Sequence, residues 1–270
     1  MVKDAAYREA KRRIEKARKE GATKLSLIWM GLTEIPTTIT NLHQLQELYL
    51  GANQIKKIPN EIANLTNLQK LDLCDNQITE IPATITNLNQ LKKLDLSGNL
   101  FTEIPTALTN LTDLQGLYLG DNQIREIPIA LTNLTRLKCL SLNKNQIKKI
   151  PVSITRLTKL QLLNLCHNQI TEIPEAITNL KNLQELELYA NHIKEIPAAI
   201  TNLTQLKYLS LGDNQITKIP TEIANLTQLE KLSLGVNQIT EIPTEISNLT
   251  QLQELYLRAN QIIKIPEEIR

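Results

Sequence analysis

Residues able to support catalysis are few in this 270-residue chain and lie far apart along it. The three histidines, His43, His167 and His192, are widely spaced, and no HExxH, CxxC, GxxxxGKS or GxxxxGKT pattern is present. Those patterns supply a zinc site, a redox dithiol and a phosphate-binding loop, so none of these chemistries is indicated. The sequence therefore predicts no enzyme activity, no catalytic residue, no cofactor and no metal site.

A unit of 23 residues recurs throughout the chain and must position whatever side chains bind. Asn53 reappears at this interval up to Asn260, and all eleven prolines occupy one equivalent position. Such a fixed period indicates a solenoid. In the copy from Leu45 to Asn67 the apolar residues are first two apart, as in a strand, and then three and four apart. Each copy should form one short strand, turn at the asparagine, and return through the Ile-Pro segment.

The asparagine of each copy is expected to have a structural role. An amide at a turn can satisfy main-chain groups that have lost their sheet partners, and it can bond to the next asparagine in the stack. The apolar stripe of one copy cannot be buried alone, so neighbouring copies must share a core.

This pattern resembles a known family. The signature LxxLxLxxNxL, carried by Leu45, Leu48, Leu50, Asn53 and Ile55, resembles that of leucine-rich repeats over roughly residues 22 to 270. The resemblance implies an α/β solenoid, a right-handed curved horseshoe with a concave parallel β-sheet of about 11 strands. Short 3-10 or irregular segments are expected on the convex side, and binding rather than catalysis is the implied activity.

The first residues do not follow the repeat and predict an amphipathic helix. Its apolar stripe comprises Ala6, Tyr7, Ala10, Ile14 and Ala17. Asp4 is expected to cap the helix and Gly21 to end it. We predict a cap, residues 1–21, followed by a solenoid, residues 22–270, of about eleven repeats with the last incomplete. The cap should pack on the bulky residues of the first copy, Ile28, Trp29 and Met30.

Charge and apolar content argue against nucleic-acid and membrane partners. Residues 1–20 carry a net charge of +4 and the remainder −2, so the solenoid lacks the continuous basic stripe that phosphates require. No apolar run approaches the ~20 residues that span a bilayer, and no signal peptide opens the chain.

Cysteine placement predicts a cytoplasmic protein. Cys139 and Cys166 occupy different places in their repeats and should lie over ~10 Å apart, too far for a disulfide. Six Asn-Leu-Thr triplets match the glycosylation sequence, and repetition explains them better than secretion does.

Function should lie where the copies differ. With Leu45 as the first place of its copy, the third, fifth and seventh places face away from the core on the concave side. Five of the six tyrosines lie at these places, although aromatic residues are 3% of the chain, and tyrosine is enriched at protein interfaces.

Charge along this face also varies. Lys70 should compensate Asp72 and Lys93 should compensate Asp95, whereas the middle is uncharged and includes Leu162, an apolar residue facing solvent. The predicted partner-binding site comprises Tyr118, Cys139, Leu162, Asn164, Glu187, Tyr189 and Tyr208. The alternative is that this variation is drift and that no partner uses it.

The N-terminal region suggests a wider context. The run AYREAKRRIEKARKEGATKLSLIWMGLTEIP, followed by repeats of the NQITEIPxxIxNLTQLQ kind, resembles the N-terminal region of bacterial Roco proteins. The resemblance implies a regulatory, partner-sensing module followed by a Roc GTPase and a COR domain. The alternative is a stand-alone bacterial structural or secreted repeat protein that works by self-association or adhesion to host protein. The uncapped last repeat would then allow self-association.

Overall fold

A computed structural model of the chain describes residues 2–269, and the side chains of residues 5–268. One α-helix, α1, runs from Val2 to Lys19. The predicted cap residue Asp4 lies inside this helix, so that prediction is wrong, because the helix starts two residues earlier than the apolar stripe suggested. Gly21 follows with a φ of +60°, as predicted for a left-handed stop.

The apolar face of α1 packs on the first repeat. Ala10, Ile14 and Ala17 are buried, and the helix contacts the first strand and the first 3-10 turn. Trp29, which was expected to pack under the cap, is instead 84% exposed with a φ of +60°. Its backbone turns the side chain outward at the corner of the first repeat, so this part of the prediction is wrong.

Short strands follow, one in each repeat, and the chain divides into two compact units, Met1–Ile124 and Arg125–Arg270. The first unit holds β1 (Lys24–Ser26), β2 (Glu47–Tyr49), β3 (Lys70–Asp72), β4 (Lys93–Asp95) and β5 (Gly116–Tyr118). The second holds β6 (Cys139–Ser141), β7 (Leu162–Asn164), β8 (Glu185–Glu187), β9 (Tyr208–Ser210), β10 (Lys231–Ser233) and β11 (Glu254–Tyr256).

Strands within each unit pair in parallel and in chain order, with partners that are 23 residues apart. Leu48 lies opposite Leu71 in the first unit, and Leu186 lies opposite Leu209 in the second. Identical places therefore stand side by side. The predicted parallel arrangement of about 11 strands is confirmed by the eleven strands in residues 2–269.

A 3-10 turn follows the proline of each repeat. The turns span Thr37–Asn41, Asn60–Asn64, Ala83–Asn87, Thr106–Asn110, Ile129–Asn133, Val152–Arg156, Glu175–Asn179, Ala198–Asn202, Thr221–Asn225, Thr244–Asn248 and Glu267–Ile269. In the second repeat, Pro59 has φ −68° and ψ 147°, and its carbonyl accepts the Ile62 N–H. Proline suits this place because φ is fixed and no N–H is needed.

The core consists of the repeated leucines and isoleucines. In the copy beginning at Leu45, the side chains of Leu48, Leu50, Ile55 and Ile62 have no exposed surface. Burial of each such side chain contributes about 1.5–3 kcal/mol, so the stack of copies supplies most of the stability.

The asparagine column bonds to main-chain groups of its own and the preceding repeat. Asn76 donates from Nδ2 to the Leu50 and Leu73 carbonyls, each at 3.1 Å, and its Oδ1 accepts the Ile55 N–H at 2.9 Å. The predicted structural role is therefore confirmed. The described bonds of these amides go to main-chain groups, so the expected bond from one asparagine to the next is replaced by a backbone clamp between coils.

A left-handed residue precedes each of these asparagines, which the sequence did not reveal. Non-glycine residues with φ between 51° and 56° occupy this place, including Asp75, His167 and Val236, whereas Gly98 has φ 64°. The corner requires this conformation because the chain must leave the strand while the asparagine points inward.

Candidate functional site

The strand face consists of the side chains at the third, fifth and seventh places of each repeat. The middle residue of each strand from β1 to β10 is buried, and most of the residues on either side of it are half-buried or exposed. This alternation matches the predicted orientation and leaves the strand face free of core packing.

The predicted site residues fall in both units. Tyr118 lies in β5 of the first unit and is half-buried. The other six lie on the strand face of the second unit, all half-buried: Cys139, Leu162, Asn164, Glu187, Tyr189 and Tyr208. Register brings neighbours together, since Leu162 stands between Cys139 and Glu185, and Asn164 lies opposite Glu187.

Glu187 is the centre of a small polar cluster. Asn164 donates from Nδ2 to Glu187 Oε2 at 2.7 Å, and Cys166 Sγ lies 3.8 Å from the same oxygen. Burial raises the pKa of Glu187, with the nearby Glu185 charge adding to the effect. Burial and the Glu187 charge raise the pKa of Cys166 to about 12. The Cys166 thiol is therefore protonated at neutral pH and is not an activated nucleophile.

Aromatic side chains flank this cluster. The rings of His167 and Tyr189 meet edge to face, with centroids 5.3 Å apart and planes at 72°. His167 is exposed, so this ring pair lies at the rim of the cluster.

A trough adjoins the predicted site, and sequence reasoning missed most of its lining. The cavity has a volume of about 370 Å³. Its lining comprises Tyr189, Tyr208, Gly212, Lys231, Ser233, Gly235, Val236, Tyr256 and Arg258. Two of these tyrosines belong to the predicted set. The available signal was the pair of glycines at the seventh place of successive repeats, between a tyrosine and an arginine.

Lys231 organises one side of the trough. Its Nζ lies 2.6 Å from Glu254 Oε2, and 5.5 and 5.3 Å from the ring centroids of Tyr208 and Tyr256. The hydrogen bond between Lys231 and Glu254 raises the pKa of the lysine and lowers that of the carboxyl group. Tyr256 also donates to Glu254 Oε2, at 2.7 Å. This ion pair is therefore held in place by two rings.

The strand face of the first unit carries the same kind of ion pair beside a tyrosine. Lys24 pairs with Glu47 at 2.7 Å, and Lys70 lies over the Tyr49 ring at 4.6 Å. Within residues 2–269 no ion pair joins Lys70 to Asp72 or Lys93 to Asp95, so the predicted compensation is wrong. Lys70 reaches across to Tyr49 on the neighbouring strand instead, and the Asp72 and Asp95 carboxylates accept the Cys74 and Ser97 N–H groups.

One group on this unit has metal-ligand chemistry. A carboxylate oxygen of Asp72, Cys74 Sγ and a carboxylate oxygen of Asp95 lie within 4.8 Å of one another. Burial and the adjacent Asp72 raise the pKa of the Cys74 thiol to about 12. A cation would have to displace that proton, and we assign no metal site to these residues.

None of the helices in the described part of the chain is both long and apolar enough to cross a bilayer. The combination of repeated coils, an asparagine clamp and a variable strand face defines a repeat scaffold.

Comparison with known proteins identifies the class of scaffold. A profile of the leucine-rich repeat region matches residues 30–120, 84–168, 107–198, 153–238 and 198–270. The chain belongs to the leucine-rich repeat family, as the sequence signature implied. Among curated protein sequences, none matches the chain.

Solved structures of several repeat proteins are similar to this chain. A Leptospira interrogans leucine-rich repeat protein, LIC12759, is 33% identical, with a TM-score of 0.85, over 94% of this chain and 71% of its own. The internalin InlF from Listeria monocytogenes is 30% identical, with a TM-score of 0.73, over 95% of this chain and 82% of its own.

A plant receptor is also similar. The Arabidopsis receptor kinase HAESA, solved with the peptide hormone IDA and the co-receptor SERK1, is 31% identical, with a TM-score of 0.73. That match covers 90% of this chain and 47% of the receptor chain, so this chain spans about half of the structure it resembles.

Proposed function

We propose that this chain is a non-catalytic module that binds a protein or peptide partner on the strand face of its second unit. The observation that carries the proposal is the set of half-buried apolar and aromatic side chains there, Leu162, Tyr189 and Tyr208, which the core does not use. Such side chains give contact area at low entropic cost. The peptide hormone bound to HAESA supports the same use of the fold.

The test is capture of partners by a double variant, Leu162→Ala with Tyr208→Ala. Both side chains lie in the predicted site, so we expect partner capture to fall at least about tenfold. The Tm should change little because neither side chain belongs to the buried core. A matched control replaces Ile129 and Val152, which are 64% and 62% exposed on the 3-10 turns of the same unit. Quantitative affinity capture followed by mass spectrometry compares both variants with the wild type.

The control removes a comparable apolar area from a different surface and should leave capture unchanged. Full capture by the Leu162 and Tyr208 variant would show that the predicted site is wrong.

A finer proposal is that this module is the regulatory region of a larger bacterial Roco-type GTPase, with Roc and COR domains as partners. The N-terminal helix sequence and the 23-residue repeats support it. Such a role is cytoplasmic, which agrees with the free thiols of Cys74 and Cys166. The downstream gene sequence tests the proposal, since a GxxxxGKS or GxxxxGKT loop should be encoded within a few hundred residues of Arg270.

The second candidate is a stand-alone structural or secreted protein that adheres to host protein or to itself. The match over 82% of the Listeria internalin chain favours a stand-alone protein. Ile263 and Ile265 are 92% and 50% exposed near the last turn and would mediate self-association. Sedimentation should then reveal concentration-dependent oligomers that disappear with Ile263→Lys and persist in the Leu162 and Tyr208 variant. A monomer at all concentrations contradicts the self-association.

A further inference from the structure

The seventh place of the last four repeats forms the floor and the two ends of the trough. Tyr189 stands at one end, Arg258 at the other, and the buried Gly212 and Gly235 lie between them. A Cβ at Gly212 would lie 3.1 Å from both the Gly235 carbonyl oxygen and Tyr189 Cδ2. A Cβ at Gly235 would lie 3.2 Å from Arg258 Cγ. The trough is open because these two residues have no side chain.

The long sides of the trough have a fixed shape. Lys231 lies between the Tyr208 and Tyr256 rings and is held by Glu254, so these side chains form one preorganised wall. Val236, which follows the floor residue Gly235 and is 40% exposed, lines the opposite side. A wall built from an ion pair and two rings costs little conformational entropy when a ligand binds.

Charge determines what the Arg258 end can hold. Glu254 shares a strand face with Arg258, but its carboxylate is already bonded to Lys231 and Tyr256. Arg258 makes no ion pair within residues 2–269, and its side chain is exposed. A guanidinium that is free in this way binds carboxylate with two parallel hydrogen bonds. The trough therefore offers a cation at one end and an aromatic surface at the other.

The length of the trough sets the spacing of its ligand. From β8 to β11 there are three strand spacings, about 14 Å. An extended peptide advances about 3.4 Å per residue and points alternate side chains to one face, so side chains four residues apart both reach the floor at this separation.

We propose that the trough binds an extended peptide segment with an Asp or Glu side chain on Arg258 and an aromatic side chain, four residues away, against Tyr189. This inference rests on the proposed function and names the chemistry of the partner. Residues four apart in an extended chain point to the same face. A side-chain carboxylate can therefore reach Arg258 while the aromatic side chain reaches Tyr189.

Blocked synthetic peptides test the proposal with the intact chain. The probe is acetyl-Gly-Phe-Gly-Ser-Gly-Asp-Gly-amide, and a second peptide has Asn in place of Asp. Isothermal titration should show that the wild type binds the Asp peptide at least about tenfold more tightly than the Asn peptide. Arg258→Gln should abolish this difference. Arg156→Gln, an exposed arginine at the end of a 3-10 turn, should preserve it.

A third variant tests the glycine floor. Gly212→Ala places a methyl group in the trough without a strained φ. It should weaken the binding of both peptides by a similar factor. Circular dichroism checks that each variant is folded.

Three results would overturn the inference. The first is equal binding of the two peptides by the wild type, and the second is no binding of either peptide at about 1 mM. The third is tighter binding of an Asn peptide whose C-terminal carboxylate is left free than of the blocked Asp peptide. If the probes fail while the Leu162 and Tyr208 variant still loses partner capture, the proposed function stands and only this subsite is wrong.

Discussion

At the residue scale, the asparagine of each repeat is the residue whose structural role the sequence predicts best. Asn168 has 7% of its surface exposed, donates to the Leu142 and Leu165 carbonyls at 2.9 and 3.1 Å, and accepts the Ile147 N–H at 2.9 Å. These main-chain groups have no strand partner at the corner. The Asn168 amide therefore provides their hydrogen bonds, and water cannot replace it because the site is buried.

Asn168→Ala should lower the free energy of unfolding by about 3 kcal/mol, because buried main-chain donors and acceptors are left unpaired. Urea unfolding followed by circular dichroism measures the loss. Asn179→Ala is the matched control, since Asn179 is exposed at the end of the 3-10 turn in the same repeat, and should change stability by less than about 0.5 kcal/mol. Equal losses in the two variants would contradict the clamp.

Glu187 gives a pH-dependent prediction at the same scale. Burial raises its pKa in the folded chain, so folding favours the protonated form. That favourable contribution is complete below the pKa of the unfolded chain and is lost as pH rises through the folded pKa. Glu187→Gln should therefore match the wild type at acidic pH and become relatively more stable as pH rises towards neutrality.

Thermal unfolding across this pH range measures the difference between the two proteins. Glu172→Gln, at an exposed position in the same unit, is the matched control for the loss of one carboxyl group. A constant difference between wild type and Glu187→Gln would show that burial of the carboxyl group does not control its titration.

At the scale of elements, the left-handed corner is the feature that sequence reasoning did not foresee. The place tolerates many residue types, from Asp75 to His167 and Val236, so no glycine pattern marks it. The asparagine clamp and the strand register together fix the left-handed backbone conformation at the corner. Each non-glycine residue there bears a strain of about 1 kcal/mol.

Val236 should show this strain most clearly because a β-branched residue tolerates a φ of +56° poorly. We expect Val236→Gly to raise the free energy of unfolding by about 1 kcal/mol, measured by urea unfolding. Val152→Gly provides the comparison, since Val152 is similarly exposed but lies in a 3-10 turn without a positive φ. It should be neutral or destabilising, and a gain there as large as at Val236 would remove the strain argument.

At the scale of the whole molecule, charge separates the N-terminal helix from the repeats. Residues 1–20 carry +4 and the remainder −2. On α1, Arg12 and Arg13 pair with Glu9, and Arg18 pairs with Glu15, so at least three of the eight basic side chains in residues 1–20 already contact a carboxylate.

The chain should therefore bind a 20-base-pair DNA duplex with a dissociation constant weaker than about 10 µM at 0.15 M salt. Fluorescence anisotropy measures this affinity. Any residual binding at low salt should disappear when Lys11, Lys16 and Lys19 on α1 are replaced by glutamine. Tight binding that survives both salt and these replacements would show that the repeats carry a nucleic-acid surface.

Prediction from sequence succeeded for the scaffold and only partly for its surface. The repeat pattern placed Leu162 and Tyr208 on the strand face correctly. Side chains in a strand alternate between two faces, so a residue that does not face the core must lie on the strand face. It failed for Trp29, whose orientation depends on the left-handed backbone of the corner, and for Lys70, which contacts a tyrosine of the neighbouring strand. The trough between Tyr189 and Arg258 was missed since each of its parts looks ordinary within its own repeat.

The sequence by itself determined the 23-residue period, the strands, the turns after each proline and the identity of the core. These features follow from the sequence because only one set of positions in each repeat can face the core when similar repeats stack. Only the tertiary structure decided which surface side chains meet: Lys231 between two rings, Asn164 bonded to Glu187, and glycines aligned into a trough. Those contacts join residues from different repeats, and their choice depends on side-chain conformations that differ little in energy until the neighbouring strand is in place.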